Sequence, residues 1–257
     1  MKTVLITRPE GSTEELTMIL EEAGFRTVHI PMIEIKPPES WQELDDALHN
    51  IEQFDGIIFS SANSARMFFT RLHETKNTTC QLPSCYAVGE KTANAIVEGG
   101  GTCFIIPEKY SGADLAASIE AITGKTFLLP QSDIGRDEIQ TLLSEAGGKA
   151  VRITTYRTTL PDKTDVNLLQ QLLTTHEIDC IAFFSPSAVG NFLAIAPDFV
   201  QESILLAAIG ETTANAISAL KLRVDIVPSE ATSESLAEMI TERFTHSGKI
   251  LDPLVVK

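Results

Sequence analysis

Residues 207–217 read AAIGETTANAI, a run that passes from small apolar residues through a glycine into a small-residue helix start. A twin, YAVGEKTANAI, occupies residues 86–96 and places Gly89 121 positions before Gly210. Glycine allows a tight turn, and the first turn of the following helix leaves amide N–H groups unpaired. Two such turns predict two anion-binding sites. For either copy alone, an ordinary strand-to-helix turn in a duplicated fold is the alternative.

Composition and charge limit the possible partners. The 257 residues, 43% of them hydrophobic, suffice for two domains, and no signal peptide or membrane-spanning run is evident, which predicts a cytoplasmic protein. Cys80, Cys85, Cys103 and Cys180 lack the spacing of a zinc site or a disulfide framework, so reduced thiols are expected. A net charge of −15 argues against nucleic acid and anionic membranes. An acidic substrate would need local positive potential from helix ends and a few basic side chains.

Strand and helix patterns alternate along the chain. An apolar run at 4–7 leads into a helical pattern at 14–23, with Ser12 or Thr13 suited to the N-cap and Gly24 to the stop. The same alternation continues to the end of the chain and predicts an α/β fold with parallel sheets covered on both faces.

The pattern restarts near residue 125. Four blocks recur in the same order at nearly constant offsets, which indicates an internal duplication. The blocks are 4–9 with 127–132 and 22–24 with 145–147 at 123, 58–63 with 182–187 at 124, and 106–107 with 227–228 at 121.

The domain boundaries do not coincide with the repeat boundary. Residues 123–125 read as an ordinary helix-to-strand turn, whereas stiff or β-prone connectors lie at about 33–37 and 154–159. If both connectors cross between domains, paired as two strands, the domains are 1–34 plus 158–257 and 37–154. Each domain is then expected to be a doubly wound, flavodoxin-like sheet of five parallel strands, with strand ends and helix starts facing a shared cleft.

A set of blocks spread over nearly the whole chain resembles the uroporphyrinogen-III synthase family. Each block is weak by itself, but their order and spacing are specific. They are LITRP at 5–9, FSSANS at 59–64, AVGEKTA at 87–93, GRDE at 135–138, YRT at 156–158, FFSPSA at 183–188 and AIGETTA at 208–214.

The resemblance implies two α/β domains joined by a two-stranded connector. It also implies a cofactor-free, monomeric enzyme that closes the linear tetrapyrrole hydroxymethylbilane into uroporphyrinogen III, inverting ring D and losing water. Hydroxymethylbilane synthase is a possible donor of that substrate. Neither nucleic acid nor a membrane is expected as a partner.

The substrate is a polycarboxylate, so helix N-termini and a few basic residues are the expected contacts. For each hydroxyl among them, plain N-capping is the alternative. The expected substrate-binding residues are Arg8, Ser61, Ala62, Asn63, Gly89, Lys91, Thr92, Ser132, Arg136, Ser185, Ser187, Gly210, Thr212 and Thr213.

Among Tyr86, Tyr110 and Tyr156, only Tyr156 falls on a predicted connector. A phenol stays protonated near neutrality and can donate to the departing hydroxyl group. By the resemblance, Tyr156 is therefore the expected catalytic residue, with packing between strands as the alternative. The five histidines do not recur in the repeat and are expected to be structural or exposed.

Two positions depart from the family pattern. Gln131 stands where many members have arginine, and Gly190 replaces the basic residue that Arg66 supplies in the other repeat. Two other functions remain open. A two-domain protein that only binds a small anion is one, and a nucleotide-binding enzyme is the other, although G-x-G-x-x-G and P-loop motifs are absent from the sequence.

Overall fold

The computed structural model describes residues 1–8, 13–75, 81–105, 107 and 112–247. Contacts divide the chain into two compact units. Unit 1 comprises residues 1–34 and 159–257, and unit 2 comprises residues 35–158. Each unit alternates strands with helices, as the sequence pattern predicts for a mixed α/β fold with parallel sheets.

The described residues form ten strands and ten helices, with an additional 3₁₀ turn at Ile51–Gln53. In chain order they are β1 Thr3–Ile6, α1 Glu14–Glu22, β2 Arg26–His29, β3 Glu34–Lys36, α2 Gln42–His49, β4 Gly56–Phe59, α3 Ala62–Glu74, β5 Ser84–Ala87, α4 Glu90–Glu98, β6 Cys103–Ile105, α5 Gly112–Ser118, β7 Thr126–Ser132, α6 Glu138–Glu145, β8 Lys149–Thr159, α7 Val166–Thr174, β9 Cys180–Phe183, α8 Pro186–Ile195, β10 Leu205–Ala208, α9 Glu211–Ala219 and α10 Ser233–Ser247.

Unit 1 contains a four-stranded sheet in the order β10-β9-β1-β2, and its strand pairs are parallel. Here the prediction of five parallel strands is wrong for the described residues, because only a single bridge, Ala207 to Ile226, forms beside β10. Asp225 explains the difference. Its carboxylate accepts from the backbone N–H of Leu206 at 2.9 Å, where a strand would offer a carbonyl oxygen.

Unit 2 contains a six-stranded sheet in the order β3-β8-β7-β4-β5-β6. The pairs from β8 to β6 are parallel. The short strand β3 lies at the edge beside β8, which is the longest strand described, at 11 residues. The segments expected to be connectors are therefore hydrogen-bonded neighbours.

Both sheets are buried on both faces. In unit 2, Ile57 and Phe59 of β4 pack against α2, α3 and α4, whereas Ile58 packs against α5 and α6. In unit 1, Leu5 of β1 faces α7 and α8, whereas Val4 faces α1 and α10. A strand covered on both sides needs continuous apolar sequence, which explains the unbroken runs seen in the sequence.

Helix α1 ends as the sequence predicts. Gly24 has φ of +86°, the left-handed conformation that favours glycine. Thr13 is the N-cap residue of α1, without a capping hydrogen bond from its side chain. Ser12, the other predicted cap, lies outside the described residues, as do Pro9, Cys80, Ile106 and Tyr110. Among the helices of the described residues, none is long and apolar enough to cross a membrane.

Asp225 provides a test of this fold. Its carboxylate also accepts from Arg223 Nε at 2.6 Å and Gln201 Nε2 at 2.9 Å, and its side chain is 6% exposed. We expect Asp225→Ala to lower the free energy of unfolding by about 2 kcal/mol, because the buried backbone N–H of Leu206 loses its acceptor. The measurement is urea denaturation. Asp198→Ala, at an exposed position, should change stability by less than about 0.5 kcal/mol, and equal losses in the two variants would contradict the assignment.

Candidate active site

The strand register brings the predicted residues of unit 2 to one edge of its sheet. Phe59 of β4 lies level with Ala87 of β5, and Ser132 of β7 lies level with Tyr156 of β8. Because these strands run parallel, the residues that follow them leave the sheet at the same carboxyl edge. The starts of α3 and α4 therefore lie at the edge that carries Ser132 and Tyr156.

Helix α3 begins with a serine cap. Ser61 has an extended backbone, and its Oγ accepts from the backbone N–H of Ser64 at 3.1 Å. A serine suits this position because its oxygen satisfies a first-turn donor. Ala62 and Asn63 follow as half-buried residues, and the first turn contains no acidic side chain. An anion at this end would meet no carboxylate from the same turn.

Helix α8 of unit 1 repeats this arrangement. Ser185 is extended, and its Oγ accepts from the backbone N–H of Ala188 at 3.2 Å. Pro186 occupies the first helical turn, where its missing N–H costs nothing. Ser187, like Ser185, is half-buried.

The glycines that start α4 and α9 do not make the tight turns expected from the sequence. Gly89 and Gly210 have φ of −174° and −178°, extended conformations that any residue adopts. Close packing accounts for Gly210, since an added Cβ would lie 3.3 Å from the Cβ of Ala231. Each glycine carbonyl accepts from the backbone N–H groups three and four residues later, at 3.0 to 3.1 Å, and binding of an anion by the remaining first-turn N–H groups stays a prediction.

Tyr156 lies at the carboxyl edge of unit 2 with its ring buried, the residue being 8% exposed. Its hydroxyl oxygen is 3.2 Å from Oγ of Ser61, so the catalytic residue expected from the sequence contacts the cap of α3. Tyr86 lies elsewhere, packed edge-to-face on Phe127 with ring centroids 6.2 Å apart. Burial raises the pKa of Tyr86.

Arg8 follows β1 at the carboxyl edge of unit 1. Its guanidinium carbon lies 4.7 Å from the ring centroid of Phe184, a cation–π contact. Burial lowers the pKa of Arg8 from its usual value. His29 contacts the Arg8 carbonyl oxygen through Nδ1 at 3.4 Å and Thr17 through Nε2 at 3.1 Å, a structural role in agreement with the sequence analysis.

The remaining predicted residues differ in exposure. Thr92, Thr213 and Ser132 are buried, at 4%, 3% and 8% exposed. The three that are exposed are Lys91, Arg136 and Thr212. Arg8, Ser185, Ser187, Gly210, Thr212 and Thr213 belong to unit 1, and the others to unit 2.

Two side chains at the edge of unit 2 were not predicted from the sequence. Ser64 is fully buried and donates to the carbonyl oxygen of Ser61 at 2.7 Å. Arg152 holds the turn between β7 and α6, donating to Asp137 Oδ1 at 2.7 Å and to the carbonyl oxygen of Asp133 at 3.0 Å. Of these two residues, only Ser64 could have been found from the sequence, because it differs from Ala188 at the equivalent position of the other repeat.

The two departures from the family pattern have different settings. Gln131 is 3% exposed, and its Nε2 has no hydrogen-bond partner among the described residues. Its side chain fills the space beneath Gly135, where an added Cβ would lie 2.5 Å from Gln131 Oε1. Gly190 lies on the exposed surface of α8, where an added Cβ would meet nothing within 4 Å. The second departure therefore leaves the packing unchanged.

In the described part of the chain, no group of three or more His, Cys, Asp or Glu side chains could hold a metal ion. Cys85 and Cys180 are free thiols. Burial raises the pKa of the Cys85 thiol to about 12, so this thiol stays protonated at neutral pH.

Comparison with known proteins assigns a family. The family model described as uroporphyrinogen-III synthase HemD matches residues 14–238. The uroporphyrinogen-III synthase of Chlorobaculum parvum is 33% identical over 248 residues, which cover 94% of this chain and 99% of that protein.

Solved structures agree in fold. A mutant uroporphyrinogen III synthase from Thermus thermophilus gives a TM-score of 0.70 at 18% identity, covering 97% of this chain and all of that one. The uroporphyrinogen-III synthetase of Helicobacter pylori gives 0.65 at 18% identity, covering 95% of this chain and all of that one. At this identity the likeness shows a mixed α/β fold with parallel sheets.

The unpartnered amide of Gln131 leads to a stability prediction. We expect Gln131→Met to raise the free energy of unfolding by about 1 kcal/mol, because a similar volume is kept while a buried donor without a partner is removed. Urea denaturation measures the change. Gln53→Met makes the same exchange at an exposed position and should be neutral within about 0.5 kcal/mol. A loss of stability confined to Gln131→Met would show that the amide is satisfied in solution.

Proposed function

The chain belongs to the uroporphyrinogen-III synthase family, and from this premise we propose that it closes hydroxymethylbilane into uroporphyrinogen III. The reaction inverts ring D and releases water, which makes the enzyme a lyase of tetrapyrrole biosynthesis. The observation that carries the activity is the family match over residues 14–238. The residue roles below rest on the geometry of the two carboxyl edges.

Binding of the substrate is assigned to the helix starts. Its acetate and propionate groups are anions, and the first-turn amides of α3, α4, α8 and α9 are donors carrying partial positive charge. Neutral donors of this kind suit a protein of net charge −15. Arg8, Lys91 and Arg136 add charge at or near these ends. Arg8 is the cation whose side chain is held in place by an aromatic ring.

The first chemical step needs an acid. The terminal hydroxymethyl group leaves as water when its oxygen receives a proton, and the ring it leaves becomes an electrophilic azafulvene. Tyr156 is assigned as the donor, because its hydroxyl is held by Ser61 at the edge that carries the anion-binding helix starts. Buried surroundings at the ring also shield the azafulvene from water.

The inversion of ring D needs no nucleophilic side chain. The substituted carbon of ring D attacks the azafulvene to give a spiro intermediate. This intermediate fragments to a second azafulvene, which the unsubstituted carbon of ring D then attacks to close the macrocycle. This last carbon loses a proton, which balances the one given by the tyrosine. Holding one curled conformation is the main contribution of the protein, and no cofactor is called for.

The two compact units are proposed to be the two domains of a duplicated fold, flavodoxin-like and joined by β3 and β8. In unit 1 the order is β2-β1-β9-β10, followed by the bridge at Ile226, and in unit 2 it is β8-β7-β4-β5-β6. The recurring blocks correspond in this order, β1 with β7, β9 with β4 and β10 with β5. Each repeat therefore contributes strands to both units, which supports a duplication.

A protein that only binds a small anion is not favoured, since the family model and the relatives are named for the synthase. A monomeric state and transfer of the substrate from hydroxymethylbilane synthase stay predictions. The product would serve haem, sirohaem or cobalamin synthesis.

The activity is tested with freshly prepared hydroxymethylbilane. Products are oxidised to porphyrins and the isomers are separated by chromatography. We expect isomer III with the protein and isomer I without it, because unassisted closure does not invert ring D. Isomer I alone in the presence of folded protein would overturn the proposed function.

Replacement of the acid should affect turnover more than binding. We expect Tyr156→Phe to lower kcat roughly tenfold or more with little change in KM, because the departing hydroxyl loses its proton donor. Steady-state kinetics for isomer III measures both constants. Tyr86→Phe removes a hydroxyl from a half-buried tyrosine of the same unit and should keep kcat within about twofold. Equal kcat values for the two variants would remove Tyr156 from this role.

A further inference from the structure

The hydroxyl groups of Ser64, Ser61 and Tyr156 form a hydrogen-bonded series. Its hydroxyl oxygen lies 3.2 Å from Oγ of Ser61, which lies 3.2 Å from Oγ of Ser64. Ser64 Oγ donates to the carbonyl oxygen of Ser61 at 2.7 Å, which is the last hydrogen bond of the series. Ser61 is the cap of α3, but capping requires neither the hydroxyl of Ser64 nor the contact with the phenol.

The hydrogen-bond partners restrict where the hydroxyl protons of Ser64 and Ser61 point. The Ser64 proton is committed to a backbone carbonyl, so Ser64 Oγ is an acceptor towards Ser61. The Ser61 proton has two acceptors, Ser64 Oγ and the phenol oxygen of Tyr156. Rotation of this one hydroxyl moves its donated hydrogen bond from Ser64 to the phenol without any transfer of a proton between residues.

We propose that Ser61 is a positioning residue that acts through Tyr156, turning its hydroxyl from Ser64 to the phenol oxygen as that phenol gives up its proton. The inference rests on the proposed function, in which Tyr156 is the acid. A hydrogen bond to a charged oxygen is worth more than one to a neutral oxygen, so the serine favours the ionised product of the donation step.

The two repeats separate this role from helix capping. Ser185 caps α8 as Ser61 caps α3, yet Ala188 stands where Ser64 stands in the other repeat. At an offset of 123, the position equivalent to Tyr156 is Ile33. The second serine and the tyrosine therefore occur together in unit 2 and are both replaced by apolar residues in unit 1. A cap of this kind does not need either of them.

The charged groups nearest the contact lie on α3, on β8 and in the turn after β7. The first turn of α3 has no acidic residue, and the N-terminus of a 13-residue helix carries partial positive charge. On the neighbouring elements, Asp133 accepts from the backbone N–H of Thr158 at 3.2 Å. The arginines of β8 are held by acids, Arg152 by Asp137 at 2.7 Å and Arg157 by Glu39 at 2.9 Å.

The test uses the pH at which the phenol ionises, followed by ultraviolet absorbance of the substrate-free protein. The chain has three tyrosines, and subtraction of the Tyr156→Phe titration isolates the one of interest. In Ser61→Ala we expect this ionisation to move up by about one pH unit, because the phenolate loses a donor. The alkaline limb of the kcat profile should move in the same direction, since the acid stays protonated to higher pH.

Three matched variants distinguish this role from capping. Ser61→Asp keeps a good cap but sets a carboxylate beside the phenol, so ionisation should move up by more than in Ser61→Ala. Ser61→Thr keeps cap and hydroxyl and should restore the wild-type titration. Ser185→Ala removes the equivalent cap from unit 1 and should leave the phenol titration unmoved.

An unchanged phenol titration in Ser61→Ala would overturn the inference, whatever the titration of Ser61→Asp. Because this readout needs no substrate, its failure is distinct from that of the proposed function. Wild-type protein that still yields isomer III would then retain the activity without the assigned role of Ser61.

Discussion

Burial of both faces of each parallel sheet is the constraint on which the rest of the structure depends. Strands such as β4, with every residue buried, can only be covered by helices that cross from one strand to the next. Each crossing brings a helix start to the carboxyl edge of the sheet. The same packing that supplies the hydrophobic core therefore gathers first-turn amides, the caps of α3 and α8, and the end of β8 at defined edges.

This constraint reconciles an acidic protein with an acidic substrate. Helix starts provide positive potential from backbone dipoles without adding fixed charge, and two of them carry serine caps in place of carboxylates. The three basic residues proposed to contact the substrate have different surroundings. Arg8 is held over Phe184, whereas Lys91 and Arg136 are exposed and keep more rotamer freedom to lose on binding.

The sequence was sufficient for the alternation of elements and for the residues at the carboxyl edges, because apolar runs and cap residues act locally. The sequence was insufficient where a side chain, rather than a backbone carbonyl, accepts a hydrogen bond at the edge of a sheet. The carboxylate of Asp225 takes the place of a strand carbonyl beside β10, and sequence periodicity does not report that exchange. The close approach of Gly210 to Ala231 and the buried amide of Gln131 were likewise missed, because both depend on packing between segments that are apart in the sequence.

The two units share a scheme but differ in chemistry. Where unit 1 has Ala188 and Ile33, unit 2 has Ser64 and Tyr156, and where unit 2 has the neutral Gln131, unit 1 has the cation Arg8. A duplicated fold has two equivalent edges, and only one of them needs an acid if a single proton must be delivered. The other edge can then specialise in holding carboxylates. The differences between the two repeats are therefore the sequence observations on which the separate roles proposed for Tyr156 and Arg8 depend.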